Sequence, residues 1–369
     1  MATFITAPKI ITGAGTLADC GKEAAMFGRS CLLVTGRGAL RRAGVTDRLV
    51  DLLAEHGVAA HVYDGVSGEP TLDMVDEGRK LVHDLKIHFV IGAGGGSAMD
   101  AGKVVAGLAH EDAPCAEFHQ GREVEKPGIP FIAIPTTSGT GSEVTKNGVI
   151  TDPTAKVKQS IRHDSFMAKL VIVDPELTLS APRDITAHTG MDALTQAIES
   201  YTSIHATPLT DALSFEAVAL ICRSLAAACE DGDDIAARSD MAYGSLMAGM
   251  ALANARLGAV HGLAHPLGVR YGIPHGLVCG VLLPRVMRLN SEAAKEKYAK
   301  IARMVNKDAI AFVEELSEKV GLPKDLSKYN VPRDDFDAII AESMPSGSLK
   351  ANPKPVTEDD LRVILEEVI

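Results

Sequence analysis

Between residues 30 and 175 the chain repeats one pattern: a short apolar run rich in β-branched residues, a Gly or Pro break, and a stretch long enough for a helix. The strand-like runs are SCLLVTG, VAAHVYDG, HFVIGAGGGS, IPFIAIPTT, NGVIT and LVIVDP. Helix-like segments from Arg41 to His56 and on through Leu85 fall between the first three. Parallel strands need crossover connections, so this alternation predicts an α/β domain built on a parallel, Rossmann-like sheet. All six runs are expected to extend that sheet region, which ends near Pro175.

From roughly Thr178 the pattern changes. Ala, Leu and Met recur at helical spacing through DALTQAIESY, ALSFEAVALICRSLAAACE and MAYGSLMAGMALANA, so the second half is expected to be all helix. The segment DPELTLSAPRDITAH carries the turn and cap residues of a boundary. The predicted organisation is an α/β domain over residues 1–180 and a helical domain over 181–369. PSGSLKANPKP is read as a surface loop before the last helix, and Met241, Met247 and Met250 as core.

Charge and cysteine usage narrow the function classes. With 48 acidic against 37 basic residues the net charge is −11, which argues against nucleic acid or an anionic membrane as partner. The six cysteines are scattered without a CxxC pair, the usage expected in a reducing cytoplasm rather than in a disulfide framework or zinc knuckle. MATFITAPKIITGAG lacks the basic and apolar regions of a secretion signal, and no later window reads as a membrane span.

Three constellations carry chemistry. Gly94, Gly95, Gly96 and Ser97, with Asp100, lie where a strand is expected to turn into a helix, a place that offers backbone N–H groups and a helix dipole to a phosphate. IPTTSGTGSEVT follows the next strand. Its hydroxyls Thr136, Thr137, Ser138, Thr140 and Ser142 sit on a backbone kept open by glycines, suited to a sugar or pyrophosphate; Thr145 closes the motif as a further cofactor-binding candidate, and two such loops on adjacent strands favour a dinucleotide. In the helical half, Asp192 and Gln196 are four apart, as are His261 and His265, and His275 follows in a Pro-His-Gly turn. A carboxylate, imidazoles and an amide oxygen on helix faces suit a divalent metal with room for substrate. The other nine histidines, His119 among them, are read as solvated and given no role.

Together GGGSAMD, IPTTSGTGSEVT, KQSIRH, VDPELT, TGMDALTQAIESY and HGLAHPLGVRYGIPHG resemble, in order and spacing, the iron-containing (group III) alcohol dehydrogenase family of the dehydroquinate-synthase-like fold. The resemblance covers the chain end to end. It implies hydride transfer between NAD or NADP and a small alcohol or aldehyde, in a cleft between an α/β and a helical domain. By position it makes Asp192, Gln196, His261 and His275 the ligands of a divalent metal, Fe²⁺ in the family, with Zn²⁺ or Mn²⁺ as other choices. His265 is left as the proton-relay residue. Gly94 to Ser97 fall at the pyrophosphate, Thr136, Thr140 and Asn147 along the cofactor, and Lys158 near a ribose. A homo-oligomer, dimeric or larger, is implied as well.

Three positions depart from the family pattern. Gln196 stands where His is usual, and an amide oxygen is a harder, weaker donor, expected to favour Mn²⁺ or Mg²⁺. Gly36, followed by Arg37, stands where an Asp commonly selects NAD, so both cofactors are expected to bind. Gly68-Glu69-Pro70 replaces a Pro-Asn-Pro turn. Competing readings are a metal-free reductase of the maleylacetate reductase type, a dehydroquinate-synthase-like lyase, and a scaffold with a decayed site. Arg122, Arg162, Arg256 and Arg270 are each read first as solvated surface residues, with an anion-binding role toward a substrate carboxylate, phosphonate or sulfonate as the alternative.

Overall fold

The computed structural model describes residues 3–155 and 157–369. The chain divides into two compact units. Of the described residues, one unit holds those within 6–137 and 142–180; the other holds residues 3–5, the short segment 138–141, and residues 181–369.

The first unit contains β1 (Ile10–Thr12), β2 (Ser30–Gly36), β3 (Ala59–Val66), β4 (Phe89–Gly94), β5 (Phe131–Pro135), β6 (Asn147–Asp152), β7 (Val157–Arg162) and β8 (Leu170–Val173). Its helices are α1 (Cys20–Ala24), α2 (Ala39–Arg42), α3 (Val45–Glu55), α4 (Leu72–Asp84), α5 (Gly96–Gly107) and α6 (Cys115–His119). Six strands form a wholly parallel sheet in the order β1-β8-β5-β4-β2-β3. Every residue of β4, β5 and β8 is buried, which is why these strands read as unbroken apolar runs: helices cover both faces of a parallel sheet. The order reverses between β2 and β4, and open parallel sheets bind ligands at the carboxyl ends of strands beside such a switch. Gly36 ends β2 and Gly94 ends β4. A Cβ on Gly94 would lie 3.9 Å from the Gly36 amide nitrogen, so the phosphate-type turn and the position that departs from the family pattern are neighbours.

Two expectations for this unit are corrected. NGVIT does not extend the sheet: it is β6, which pairs antiparallel with β7, Asn147 opposite Arg162, as a separate two-stranded ribbon. An apolar-alternating run carries no information on its partner, and here the nearest one is the following segment. His119 is not solvated but buried, its Nε2 3.0 Å from the Ile150 carbonyl.

The second unit has α7 (Arg183–Thr202), α8 (Pro208–Glu230), α9 (Ile235–Ala255), α10 (Ala259–Tyr271), α11 (His275–Leu289), α12 (Lys295–Val305), α13 (Ala309–Lys319), α14 (Phe336–Ser343) and α15 (Glu358–Val368). No strand occurs here among the described residues. One helix, α8, is long and apolar enough to cross a bilayer by length and composition alone; it is interrupted by Glu216 and Arg223 and packs on α7 and α9, the place of a core helix. Met241 is buried as expected, whereas Met247 and Met250 are only half-buried. The PSGSLKANPKP segment is not simply surface, because Leu349, Ala351 and Asn352 are buried and the Asn352 and Asn290 amides pair at 2.7 and 2.9 Å.

Helix α11 approaches α7 closely through two glycines one turn apart. A Cβ on Gly276 would lie 2.1 Å from the His188 carbonyl oxygen, and one on Gly280 2.3 Å from a Leu322 methyl and 3.2 Å from the Met191 Cβ. Any larger residue at Gly276 would push the helices apart, and with them the polar groups each carries.

Candidate active site

Helix α7 is almost wholly buried, yet one stripe of it is polar: Asp192, Gln196 and Glu199, at i, i+4 and i+7, share a face and are each under 5% exposed. Buried Asp and Glu are retained where something pairs with them. Part of that pairing comes from α10. Its N-cap is Gly258, which has no side chain to cap the helix, so the first amides are satisfied from elsewhere: Ala259 N–H donates to Asn352 Oδ1 at 3.3 Å and Val260 N–H to Glu199 Oε1 at 2.7 Å. His261, next in line, donates from Nδ1 to Glu199 Oε2 at 2.6 Å. With Nδ1 bound to Glu199, Nε2 is the ring nitrogen turned toward Asp192 Oδ1, 3.3 Å away, where a cation would replace its proton.

His275 opens α11, and Cys279 lies one turn on, along the same face. His275 Nε2 is 3.8 Å from Asp192 Oδ1; Cys279 Sγ is 3.7 Å from His275 Nε2 and 3.9 Å from His261 Nε2. One donor atom from each of Asp192, His261, His275 and Cys279 lies within 4.8 Å of the other three. Burial works against the Asp192 carboxylate, yet His261, His275 and Gln196 outweigh it and hold its pKa below the usual range. Burial likewise opposes a charged His261, but Cys279, Glu199 and Asp192 together raise that imidazole well above its ordinary value. These are surroundings that call for positive charge. Gln196 donates to Asp192, and its Oε1 is buried with no hydrogen-bond partner among the described residues. A buried carboxylate, two aligned imidazole nitrogens, a sulfur and an orphaned amide oxygen fit a divalent cation. The His265 ring stacks on His275 at 5.4 Å and 19° and is half-buried.

The first unit gathers the other predicted residues. Gly95 is the N-cap of α5 and provides no side-chain cap, so the amides that follow it, from Gly96 through Ser97, face outward from the helix start. Thr136 is buried and its N–H donates to the Gly94 carbonyl at 2.9 Å; Thr137 Oγ1 would stand 3.5 Å from a Cβ on Gly95. This open, glycine-lined helix N-terminus fits a phosphate. Gly36 has ordinary backbone angles, and a Cβ there would meet nothing closer than 3.9 Å, so the fold does not demand glycine; Arg37 beside it is exposed. Thr140 belongs to segment 138–141 of the other unit. Lys158 is paired at 2.7 Å with Glu69, the residue that departs from the family's amide.

Asp100, Ser142, Thr145 and Asn147 are drawn into a network around Lys103, a residue the sequence reading passed over. The Lys103 ammonium is fully buried, 2.7 to 2.9 Å from Ser142 O, Ser142 Oγ, Thr145 Oγ1 and Asn147 O. Ser142 Oγ donates to Asp100 Oδ1, and Asp100 Oδ2 accepts from Val149 N–H at 2.9 Å. Burial pushes the Glu143 carboxyl up to about 7 against the pull of Lys103. Arg122 and Arg270 are taken by Glu117 and Glu342.

Glu199 and Cys279 were also missed. Both had a signal: Glu199 continues the Asp192–Gln196 stripe at i+7, and Cys279 follows His275 at i+4, the spacing already used for the two histidines of α10.

Comparison with known proteins gives the family of the chain. The sequence model of the C-terminal region of the Fe-containing alcohol dehydrogenase family matches residues 186–369, and the iron-containing alcohol dehydrogenase model matches residues 7–175. Long-chain-alcohol dehydrogenase 1 of Geobacillus thermodenitrificans is 38% identical, over 99% of this chain and 96% of its own. The crystal structure of a 1,3-propanediol oxidoreductase superposes with a TM-score of 0.96 at 35% identity, covering both chains fully. An alcohol dehydrogenase from Oenococcus oeni gives 0.96 at 31% identity, again over both full chains. The chain belongs to the iron-containing alcohol dehydrogenase family, and is an NAD(P)-dependent oxidoreductase of alcohols and aldehydes.

Proposed function

We propose that the protein interconverts a small alcohol and its aldehyde at a divalent cation held by Asp192, His261 and His275 beside Gln196, with His265 moving the proton. The observation that carries this is the convergence of Asp192 Oδ1 and two imidazole Nε2 atoms at 3.3 and 3.8 Å inside a buried helical core. The relatives named for long-chain alcohols and for 1,3-propanediol support an alcohol as substrate.

When bound, the cation polarises the substrate oxygen and lowers the alcohol's pKa, while the nicotinamide exchanges hydride with the carbinol carbon. The protein's residues prepare that step. Glu199 keeps a proton on His261 Nδ1 and so keeps Nε2 available; Gln196 holds Asp192 by an N–H bond; His265 passes the substrate proton toward water. Gly94 to Ser97 present backbone N–H groups to the pyrophosphate, Thr136, Thr140 and Asn147 line the cofactor, and Lys158 serves a ribose. The six cysteines, free in this structure, fit a reducing compartment such as the cytoplasm, and assembly as a dimer or larger oligomer completes this reading.

The test is a panel of small aldehydes, neutral and anionic, assayed with NADH and NADPH before and after chelation, with Fe²⁺, Zn²⁺, Mn²⁺ and Mg²⁺ added back singly. Oxidation of reduced cofactor should vanish on stripping and return with an ion. Undiminished turnover in metal-free protein would replace this reading with the metal-free reductase one.

Gly36 leaves the carboxyl end of β2 without the charge that repels a 2′-phosphate, so NADPH should bind within tenfold of NADH. Gly36→Asp fits sterically and should weaken NADPH on the order of tenfold or more while sparing NADH. Equal loss of both cofactors, or of neither, in titrations of the variant would contradict the role given to this position.

A further inference from the structure

Resting on the reading of this cluster as a cation site, we infer that Cys279 is a ligand, taking as a thiolate the coordination position that Gln196 leaves weak, and that the site therefore prefers a thiophilic ion.

The geometry carries this. In a tetrahedral zinc-type site, bonds of roughly 2.0–2.1 Å to N or O and 2.3 Å to S put neighbouring N and O donors about 3.3–3.4 Å apart and S and N donors about 3.5–3.6 Å apart. Four of the six separations lie close to or a few tenths of an ångström above those edges: 3.3 Å and 3.8 Å from Asp192 Oδ1 to the two imidazoles, and 3.9 Å and 3.7 Å from Cys279 Sγ to the same nitrogens, with all four donors within 4.8 Å of one another. The sulfur stands where a fourth donor would, and a contraction of a few tenths of an ångström closes the figure. Gln196 positions that carboxylate through its N–H, and its unpartnered Oε1 is the harder, weaker donor beside the sulfur. Cys279 is held in place by the turn of α11 that begins at His275, and Gly276 and Gly280 bring that turn against α7. Such a set has one carboxylate oxygen, two imidazoles and one thiolate.

Binding replaces the S–H bond by a metal–sulfur bond, and the thiol proton leaves to solvent; no oxidant is needed. Sulfur ligands favour Zn²⁺ and the later ions over Mn²⁺ and Mg²⁺. This reverses the order expected from the amide oxygen alone. With four protein donors a tetrahedral site would be filled, so a substrate oxygen would reach the ion only as a fifth donor.

X-ray absorption on the intact, zinc-loaded protein reads the donor set without any mutation. One sulfur near 2.3 Å is expected among nitrogen and oxygen neighbours. Cobalt-loaded protein should show a thiolate-to-metal charge-transfer band that persists in Gln196→Ala and disappears in Cys279→Ser. The serine variant should lose zinc affinity by on the order of 10²-fold or more, above the cost of losing an outer partner, while Mn²⁺ affinity changes far less. A tightly bound ion surrounded by nitrogen and oxygen alone overturns the Cys279 assignment and leaves the cation site standing. Failure of every divalent ion to bind overturns both.

Discussion

Asp192→Asn should empty the site and lower kcat/KM by on the order of 10³-fold or more, the several kcal/mol that a Lewis acid contributes to a charged transition state. The substitution keeps the shape of the side chain and removes its charge. His261 and His275 then remain without the anion that faces both Nε2 atoms, and the cation loses its charged oxygen ligand. His265→Ala is the complementary variant. Its ring lies against His275 but falls outside the proposed ligand set, so metal content should stay at the wild-type level while the rate falls about 10²-fold or more, as for loss of a general acid/base. Metal analysis and cofactor titration on the two purified variants separate the roles. Loss of the ion from the His265 variant, or its retention by the Asp192 variant, would mean that the ligands are wrongly assigned.

Lys103→Met should cost about 3–5 kcal/mol of stability, the penalty for removing one partner from a buried charge cluster. Methionine fills much of the same volume but offers nothing to the four oxygens around Nζ, and Asp100 keeps its charge with no cation beside it. The loss should grow with pH because of Glu143. A carboxyl raised to about 7 in the folded protein contributes stability that is fully present below its unfolded value, near 4.3, and is lost as pH rises through 7. Without the Lys103 charge, ionised Glu143 is less tolerable still. Urea unfolding at pH 5.5 and pH 8 should therefore show the larger deficit at pH 8. A deficit under 1 kcal/mol at both would mean that the segment from Ser142 to Asn147 holds its place without the lysine. The network also bears on the cofactor site: four residues read as cofactor contacts, Asp100, Ser142, Thr145 and Asn147, have polar atoms committed to holding that segment on α5.

The site was legible in the sequence where its chemistry followed local spacing. Asp192 and Gln196 share a helix face because four residues make about one turn, and the glycines at 94 to 96 mark a helix start because a strand-like run precedes them. The same arithmetic was available for Glu199 and Cys279, but a carboxylate or thiol at i+7 or i+4 is common in helices that bind nothing. What distinguishes these two is what they touch: His261 Nδ1 and the Val260 amide for Glu199, and two imidazoles for Cys279. Lys103 looked like any lysine on an amphipathic helix, and only the folding of residues 142–147 over it makes it buried.

The sequence by itself determined the layers. Apolar runs alternating with helices require a parallel sheet, and Ala- and Leu-rich helical spacing after Thr178 leaves no strand to add, because hydrogen-bond geometry and side-chain period act within a few residues. Which strands neighbour one another, which helix faces meet, and which donors converge were decided by packing. β6 joined β7 rather than the sheet, Gly276 let α11 approach α7, and Glu199 and Asn352 took the uncapped amides of α10. The β6–β7 pairing is local, but the helix contacts span tens of residues, and each is selected by the burial of surfaces brought together only in the folded chain. The pattern along the chain therefore names the ligands a helix can offer, and the tertiary structure decides which of them face a common point.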